Sequence, residues 1–350
     1  MKLRTAAISS FTLAAAFVGA QPYTIVDIGA LGGAGTSVAF GISENGIVVG
    51  QSNGQAFKWT MGGGMIGLNG LGGSTSTANG VNSAGQVVGS GYVAGFEYHA
   101  ILWDGGTAPT DLGTPGEFSE SNDINELGTI AGTADFRGFR KTYGGPMEEL
   151  PTLGGITVAN AINSGSTVAG GSDDGGGMRH PFRWTSGSNL EDLGIPPGTD
   201  FASANDLNDS GIVVGGSGTG LQFGAWLYDG SYTTLNGLWT YDNRAWAINN
   251  AGAVVGHSWI DTNGTNARAV RWAPGSTMAI DLNLEIGGGS GWYLQRATGI
   301  NEAGQIVGFG TLDGVQRGFL LNPVPEPGTM AAVGLGLIAL LRRRGTRRTR

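Results

Sequence analysis

The chain contains no cysteine. No disulfide can hold its fold, and no thiol can act as nucleophile or metal ligand. Histidine is nearly as scarce, with only His99, His180 and His257. A zinc centre would have to depend on carboxylates, and none is expected. Basic charge is also short, 19 Lys and Arg against 27 Asp and Glu. The central part lacks any sustained 3.6-residue apolar period, which excludes a helical protein. It also lacks a phosphate loop or any nucleophile motif.

What the chain has in abundance is glycine, 67 residues in all, and it recurs on schedule rather than in low-complexity runs. The schedule is an Ile-Asn-x-x-Gly-x-Val-Val-Gly stretch beginning at Ile42, Val81, Ile124, Ile162, Leu207, Ile248 and Ile300. The steps are 39, 43, 38, 45, 41 and 52 residues, an average of 43. A period in this range marks a repeat architecture.

Each repeat adds three further pieces to this stretch. A leading segment such as Ala159-Asn160-Ala161-Ile162 precedes it. An Ala-Phe-x-Trp-like run follows, as in Ala56-Phe57-Lys58-Trp59 and Pro181-Phe182-Arg183-Trp184. An Asp-Leu-Gly-like run closes the repeat, as in Asp192-Leu193-Gly194. Short runs of Val, Ile, Phe and Trp separated by Gly, Asn and Ser specify strands and hairpins. At the hairpin, an Asn side chain bonds nearby backbone and a following Gly takes the left-handed conformation. The residues expected in these roles are Asn82 and Gly85, Asn125 and Gly128, Asn163 and Gly165, Asn208 and Gly211, Asn249 and Gly252, and Asn301 and Gly304.

Three residues before each repeat's first Ile stands a small side chain: Ala39, Ala78, Ser121, Ala159, Ala204, Ala245 or Ala297. Small residues there let neighbouring sheets approach, as near the axis of a toroid. Four strands in about 43 residues suit a propeller blade. Tyr23 to Gly29 reads as a fourth strand without a first three, and Gly318 to Leu321 as a third without a fourth. The N-terminal strand is therefore expected to complete the last blade and remove an exposed edge. The expected fold is all-β, a seven-bladed β-propeller over residues 21–323. An open β-solenoid is the alternative.

Both ends read as address. Lys2 and Arg4, the apolar run Phe11 to Val18, and Val18-Gly19-Ala20 form a secretory signal peptide over residues 1–20. Residues 324–350 hold Pro325-Glu326-Pro327, an uncharged run from Gly328 to Leu341, and the arginines Arg342, Arg343 and Arg344 as a membrane stop. This tripartite tail resembles the PEP-CTERM sorting signal of Gram-negative bacteria. The resemblance implies an exosortase-type protease as partner, an inner-membrane stage, and final placement on the cell surface or in an exopolysaccharide matrix. An ordinary tail anchor is the plainer reading. Residues 1–20 and 328–350 hold eight basic residues and no acid, so the part between carries 11 basic against 27 acidic, a net of −16. Such a surface repels phosphate backbones, and nucleic acid is not an expected partner.

The repeat itself resembles the HAF repeat of exported bacterial proteins. The residues that carry this are Glu149 to Gly155, Ala159 to Gly170, and His180-Pro181-Phe182-Arg183-Trp184. The resemblance covers residues 23–322, and the histidine of the name survives at His99 and His180. It implies fold and location rather than an activity.

Candidate chemistry is thin. His99 and His180 share one repeat position, which points to a structural role. The stretches from Asp123 to Gly128 and Asp206 to Gly211 partly match calcium loops, but Ser217 stands where a bidentate Glu is wanted. Hairpin turns explain them better. A glycosidase would need two converging carboxylates, and Glu97, Glu117, Glu120, Asp173, Asp174 and Glu191 lie in or beside variable loops. Aromatics outside the repeat positions crowd into residues 239–293. Trp239, Tyr241, Trp259, Trp292 and Tyr293 are the candidate glycan platform, with Trp246 nearby and Asp242, Asn243 and Arg244 as polar neighbours; their alternative is core. The expected function is a non-enzymatic exported protein with a structural or adhesive role and polysaccharide binding, without cofactor or metal. An extracellular carbohydrate-active enzyme is the alternative.

Overall fold

The computed structural model describes residues 22–94, 97–112, 118–220, 222–259 and 266–324. The chain divides into a compact unit over Tyr23–Pro323 and a second unit of Met1–Pro22 with Val324–Arg350. The signal peptide, Pro325, Glu326 and Pro327, the uncharged run, and Arg342, Arg343 and Arg344 lie outside the described residues.

Among the described residues Tyr23–Pro323 is all-β, with two short 3-10 turns at Leu31–Gly33 and Leu282–Leu284. Its strands form seven four-stranded antiparallel blades in a propeller-like ring. Blade 1 is Ser37–Ile42, Val48–Ser52, Gln55–Thr60 and Gly64–Gly67, and blade 2 is Gly72–Val81, Gln86–Val93, Tyr98–Asp104 and Thr110–Asp111. Blade 3 is Ser119–Ile124, Thr129–Ala134, Arg137–Thr142 and Met147–Glu149, and blade 4 is Gly154–Ile162, Val168–Asp174, Arg179–Trp184 and Glu191–Asp192. Blade 5 is Phe201–Leu207, Val213–Thr219, Gln222–Tyr228 and Tyr232–Leu235, and blade 6 is Asp242–Ile248, Val254–Trp259, Ala267–Trp272 and Ile280–Asp281. One parallel pair, Phe223 with Asp242, joins blades 5 and 6 into a single eight-stranded sheet. Blade 7 is Trp292–Ile300, Ile306–Leu312 and Val315–Pro323, and its fourth strand is the N-terminal Tyr23–Asp27, paired antiparallel from Tyr23 opposite Pro323 to Asp27 opposite Phe319. Blade 7 then meets blade 1. Thr298 Oγ1 donates to the Ala39 carbonyl at 2.9 Å, and the Gly318 N–H donates to Ser37 Oγ at 3.0 Å.

The repeat's final glycine is dictated by this packing. A Cβ at Gly50, Gly89, Gly132, Gly170, Gly215, Gly256 or Gly308 would lie 1.9–2.3 Å from an inner-strand carbonyl oxygen. No side chain fits there. At the hairpins, Gly46, Gly85, Gly128, Gly211, Gly252 and Gly304 adopt φ of +73° to +82°, where a β-carbon would be strained. The fourth repeat corrects the sequence reading. Ser166, not Gly165, takes the left-handed position at φ +61°, and its N–H closes the turn on the Asn163 carbonyl at 2.9 Å. The slot lies three residues after the Asn, so a glycine one place early does not fill it. Ser166 Oγ compensates by accepting from Asn125 Nδ2 at 3.1 Å.

The core is spread around the ring. Seven apolar clusters each join two adjacent blades, such as Val88, Ala100 and Leu102 of blade 2 with Ile124, Ile130 and Phe139 of blade 3. The seven small residues predicted near the axis are all fully buried. Phe57, Phe139, Phe182, Trp226 and Phe319 of the third strands are at most 2% exposed. Each such side chain contributes about 3–5 kcal/mol relative to alanine.

The histidine expectation has a concrete form. His99 Nδ1 lies 2.8 Å from Asp111 Oδ2, and His180 Nδ1 lies 3.0 Å from both Asp192 oxygens. Arg268 with Asp281 at 2.6 Å and Arg137 with Glu149 at 3.7 Å occupy the same place. The start of the third strand and the acid of the fourth are thus a polar clasp within one blade.

Candidate functional site

The antiparallel order gives the ring two faces. The hairpin face carries the Asn-Gly turns around the axis. The loop face carries the links between second and third strands and between blades.

On the hairpin face the repeat's asparagines form a belt. Each takes a backbone N–H of its own turn on Oδ1, as Asn82 does from Gln86 at 3.1 Å and Asn163 from Thr167 at 2.9 Å. Each then reaches across to the next blade with Nδ2. Asn82 donates to the Asn125 carbonyl (3.1 Å), Asn125 to Asn163 (2.9 Å), Asn163 to Asn208 (3.1 Å), Asn208 to Asn249 (3.3 Å), Asn249 to Asn301 (3.2 Å) and Asn301 to Ser43 (3.1 Å). Ser43 has no amide, and Asn45 Nδ2 closes the belt on the Ser83 carbonyl at 2.9 Å. Outside it, Glu126, Asp209, Glu302 and Glu44 accept N–H groups of Ser83, Ser164, Asn250 and Glu302 at 2.7–3.1 Å. Burial, with the charges of Glu302, Glu126 and Asp209, raises the Glu44 carboxyl above its usual range.

Deeper along the axis a second amide column forms. Asn79, Asn122, Asn160 and Asn205 donate to the carbonyls of Ser121, Ala159, Ala204 and Ala245 at 2.7–3.0 Å. A cavity of about 220 Å³ lies against it. Asp123 and Asp206 face this cavity from β-bulges of the inner strands. They stand just before the turns that Gly128 and Gly211 close on the Asn125 and Asn208 carbonyls at 3.0 Å. Asp123 Oδ2 accepts the Ile162 N–H at 2.9 Å, and Asp206 Oδ2 accepts the Ile248 N–H at 2.8 Å. Burial pushes Asp123 up to about 6; burial and then the Asp123 charge push Asp206 up to about 8.

At blade 6 the amide column stops, because Trp246 occupies the Asn position. Its Nε1 donates instead to His257 Nδ1 at 2.8 Å. An indole N–H can only donate, so His257 must carry its proton on Nε2. His257 is 1% exposed, and burial followed by the Arg296 and Arg244 charges keeps it neutral, well below its ordinary pKa. The Nε2–H has no hydrogen-bond partner; Asp242 Oδ1 is 3.8 Å away. Arg244 Nε lies 3.5 Å from that same oxygen, and its guanidinium sits 4.0 Å above the Phe223 ring. Arg296 packs over Trp246 at 5.1 Å and Phe309 at 5.4 Å. Among the described residues it makes no ion pair. Asp242 Oδ1 and the Nε atoms of Arg244 and Arg296 are all buried without a hydrogen bond, Asp242 and Arg244 meeting only as an ion pair. Arg244 also lines a loop-face pocket of about 190 Å³ with Arg179, Phe201, Ser203 and Phe223.

The five predicted platform residues differ in exposure and in partners. Trp239 is 60% exposed beside blade 6. Trp259 stands opposite Asp242 in the sheet, with its Nε1 buried and unpartnered. Trp292 packs edge-on against Phe319 at 6.1 Å as core, Tyr293 lies beneath Arg268, and Tyr241 contributes its carbonyl to Phe223. Among the described residues no ring contact joins these five. The loop carboxylates are occupied: Asp173 by Arg179 at 2.7 Å, Glu191 by Arg183 at 2.8 Å, Asp174 by the Met178 N–H at 2.8 Å, and Glu97 beside His99 at 3.4 Å. Burial raises Glu120, and Glu117 lies outside the described residues. Among the described residues no group of three or more His, Asp or Glu could hold a metal, and no helix is long and apolar enough to cross a membrane.

Residues 323–348 match the PEP-CTERM protein-sorting motif. The chain carries an exported protein's sorting signal. That signal is membrane-anchoring and is of the kind exosortases process. The fold has distant counterparts. A selenomethionine-substituted virginiamycin B lyase from Staphylococcus aureus is 13% identical, covers 86% of this chain and 100% of its own, and superposes with a TM-score of 0.56. A streptogramin B lyase is 14% identical, covers 86% and 98%, and gives the same score of 0.56. At these identities the likeness is one of fold. A comparison with curated proteins finds no match.

Proposed function

We propose that this chain is an exported, HAF-repeat seven-bladed β-propeller with a structural or adhesive, non-enzymatic role in the envelope or exopolysaccharide matrix. It binds polysaccharide on the loop face of blades 4 to 6. The observation that carries this reading is the pocket walled by Phe201 and Phe223 with guanidinium donors beside it, and exposed Trp239 stands in the link from blade 5 to blade 6. Aromatic faces pair with the apolar side of a pyranose, and nearby donors fix its hydroxyls. The loop carboxylates, by contrast, are held in ion pairs and turns and are poorly placed for acid–base work. The signal peptide, Arg342, Arg343 and Arg344 belong to the same reading as export and anchoring devices.

The test is co-sedimentation of the full chain, in mild detergent, with the exopolysaccharide of the producing bacterium. Wild type is expected to sediment with the polymer, and a Trp239→Ala, Phe223→Leu variant of unchanged Tm to lose at least tenfold in affinity. Equal binding by the variant moves the site elsewhere, and no binding by wild type removes the glycan role.

A second reading rests on Asp123 and Asp206, two axial carboxyls of raised pKa facing one cavity. Perturbed pairs of this kind also serve as acids and bases. Release of new reducing ends from the polymer, lost in Asp206→Asn, would favour the extracellular enzyme.

A further inference from the structure

The loop-face cluster is built for more than a neutral sugar. Its ingredients come from three neighbouring blades. Gly171 and Gly216 keep their strands bare where arginine stems cross them: a Cβ at Gly171 would lie 2.9 Å from Arg179 Cδ, and one at Gly216 would lie 3.5 Å from Arg244 Cγ. The two guanidinium groups thereby reach one pocket, over the edge-to-face pair Phe201 and Phe223, whose centroids are 5.6 Å apart.

Charge in this region does not balance. Arg179, Arg244 and Arg296 bring three positive charges. Asp173 holds Arg179 through two contacts, at 2.7 and 3.3 Å. Asp242 alone serves both Arg244 and Arg296, and no oxygen of it comes closer than 3.5 Å to Arg244 Nε. The region is short of one negative charge, in a protein whose central part carries an excess of sixteen. It also holds three buried N–H donors without acceptors, on Arg244, Arg296 and His257. Leaving such donors unpaired is unfavourable, more so where the group is charged. Arg244 is the one of the three that lines the pocket, and an incoming anionic acceptor there would pair it and supply negative charge. Arginine forks match a carboxylate in two parallel bonds, Phe223 backs the Arg244 guanidinium, and Phe201 offers an apolar wall. The volume suits one sugar unit rather than a drug-sized ligand.

We infer that the loop-face pocket between Arg179 and Arg244 takes the carboxylate of an acidic sugar residue, a uronate, within a polysaccharide chain. This rests on the polysaccharide-binding reading above and narrows it. Arg244, carried over the Phe223 ring, is the recognition residue, Phe201 is the apolar wall, and Ser203 lines the same pocket.

The experiment compares three probes on the full chain: the producer's native exopolysaccharide, the same polymer with its carboxyls reduced to alcohols, and a galacturonate hexamer. Wild type is expected to bind native polymer and hexamer, and to lose at least tenfold in affinity for the reduced polymer. Arg244→Gln should show the same loss on native polymer, and Arg244→Lys, which keeps charge without the fork, an intermediate one. Melting curves of both variants confirm folding; should either fail to fold, the wild-type comparison of native and reduced polymer still decides. Equal affinity for native and reduced polymer overturns the uronate assignment and leaves polysaccharide binding standing. No binding to any probe overturns both.

Discussion

The junctions between blades 2 to 5 and the junction between blades 6 and 7 are made from the same repeat, yet they are finished differently. At the first, an amide in the deep column reaches the next blade's carbonyl, and the belt on the hairpin face repeats that pattern. The amides of column and belt each find an acceptor in the next blade, although Ser121 Oγ, Thr133 Oγ1 and Trp226 Nε1 stay buried without a hydrogen bond. At the second, Trp246 stands in the amide column, Arg296 lies over it, and His257 keeps an unanswered Nε2–H. Buried polar groups in native proteins are usually paired. A cluster that is not paired, next to a pocket, is where a repeat scaffold has departed from self-sufficiency. The comparison separates the parts that keep the ring together from the part open to selection for binding.

The contrast breaks most visibly at the belt. Asn125→Ala removes the acceptor for two backbone N–H groups and the donor to Asn163, and leaves buried groups unpaired. Stability should drop by about 2–4 kcal/mol, measured as a urea midpoint shift, with polysaccharide affinity unchanged in the folded fraction. A smaller effect is expected along the axis. Asp206 and Asp123 have folded-state pKa values raised to about 8 and about 6, so the folded state holds their protons more tightly than the unfolded chain does. Their cost is absent below about pH 4 and accumulates as pH rises towards 8. Tm should therefore fall from pH 5 to 8, and Asp206→Asn should flatten the fall most between pH 6 and 8. A wild-type curve that rises over that window would contradict this. The smallest change is expected on the loop face. Arg296→Met replaces a buried charge lacking an ion pair with a side chain that fills the same gap between Trp246 and Phe309. Stability should move by no more than about 1 kcal/mol, in either direction. A loss as large as that of Asn125→Ala would mean that the cluster is structural after all.

Much of the scaffold was legible because its causes are local. Strand runs, Asn-Gly turns and the orphan strand Tyr23–Asp27 depend on residues within one repeat. Where the reading slipped, geometry across repeats decided. Gly165 drew the turn assignment because it is glycine, while the slot three places after Asn163 belongs to Ser166. The aromatics of residues 239–293 are neighbours in sequence, but Trp292 turns inward onto Phe319 and Trp239 outward. The loop-face cluster is only partly legible in the sequence, where Arg244, Asp242 and Trp246 stand beside the aromatics. Its signal lay in columns rather than runs. One place before the small axial residue the repeats read Val38, Thr77, Glu120, Val158, Ser203, Arg244 and Arg296. Opposite them stand Gln51, Ser90, Thr133, Gly171, Gly216, His257 and Phe309. Only the last two repeats place arginine against a large ring, and only a residue-by-residue stacking of the repeats makes that visible.

The pairing of Tyr23–Asp27 with Val315–Pro323 has a consequence for cooperativity. An open stack of repeats melts from its ends, one unit at a time, because a terminal unit has a single neighbour. In this ring every blade has two neighbours, so no blade is terminal while those five residues stay paired. Fraying must begin at one seam, and the loss of one short strand turns a closed system into an open array. The strength of that seam, rather than the average blade, sets how sharply the whole protein unfolds.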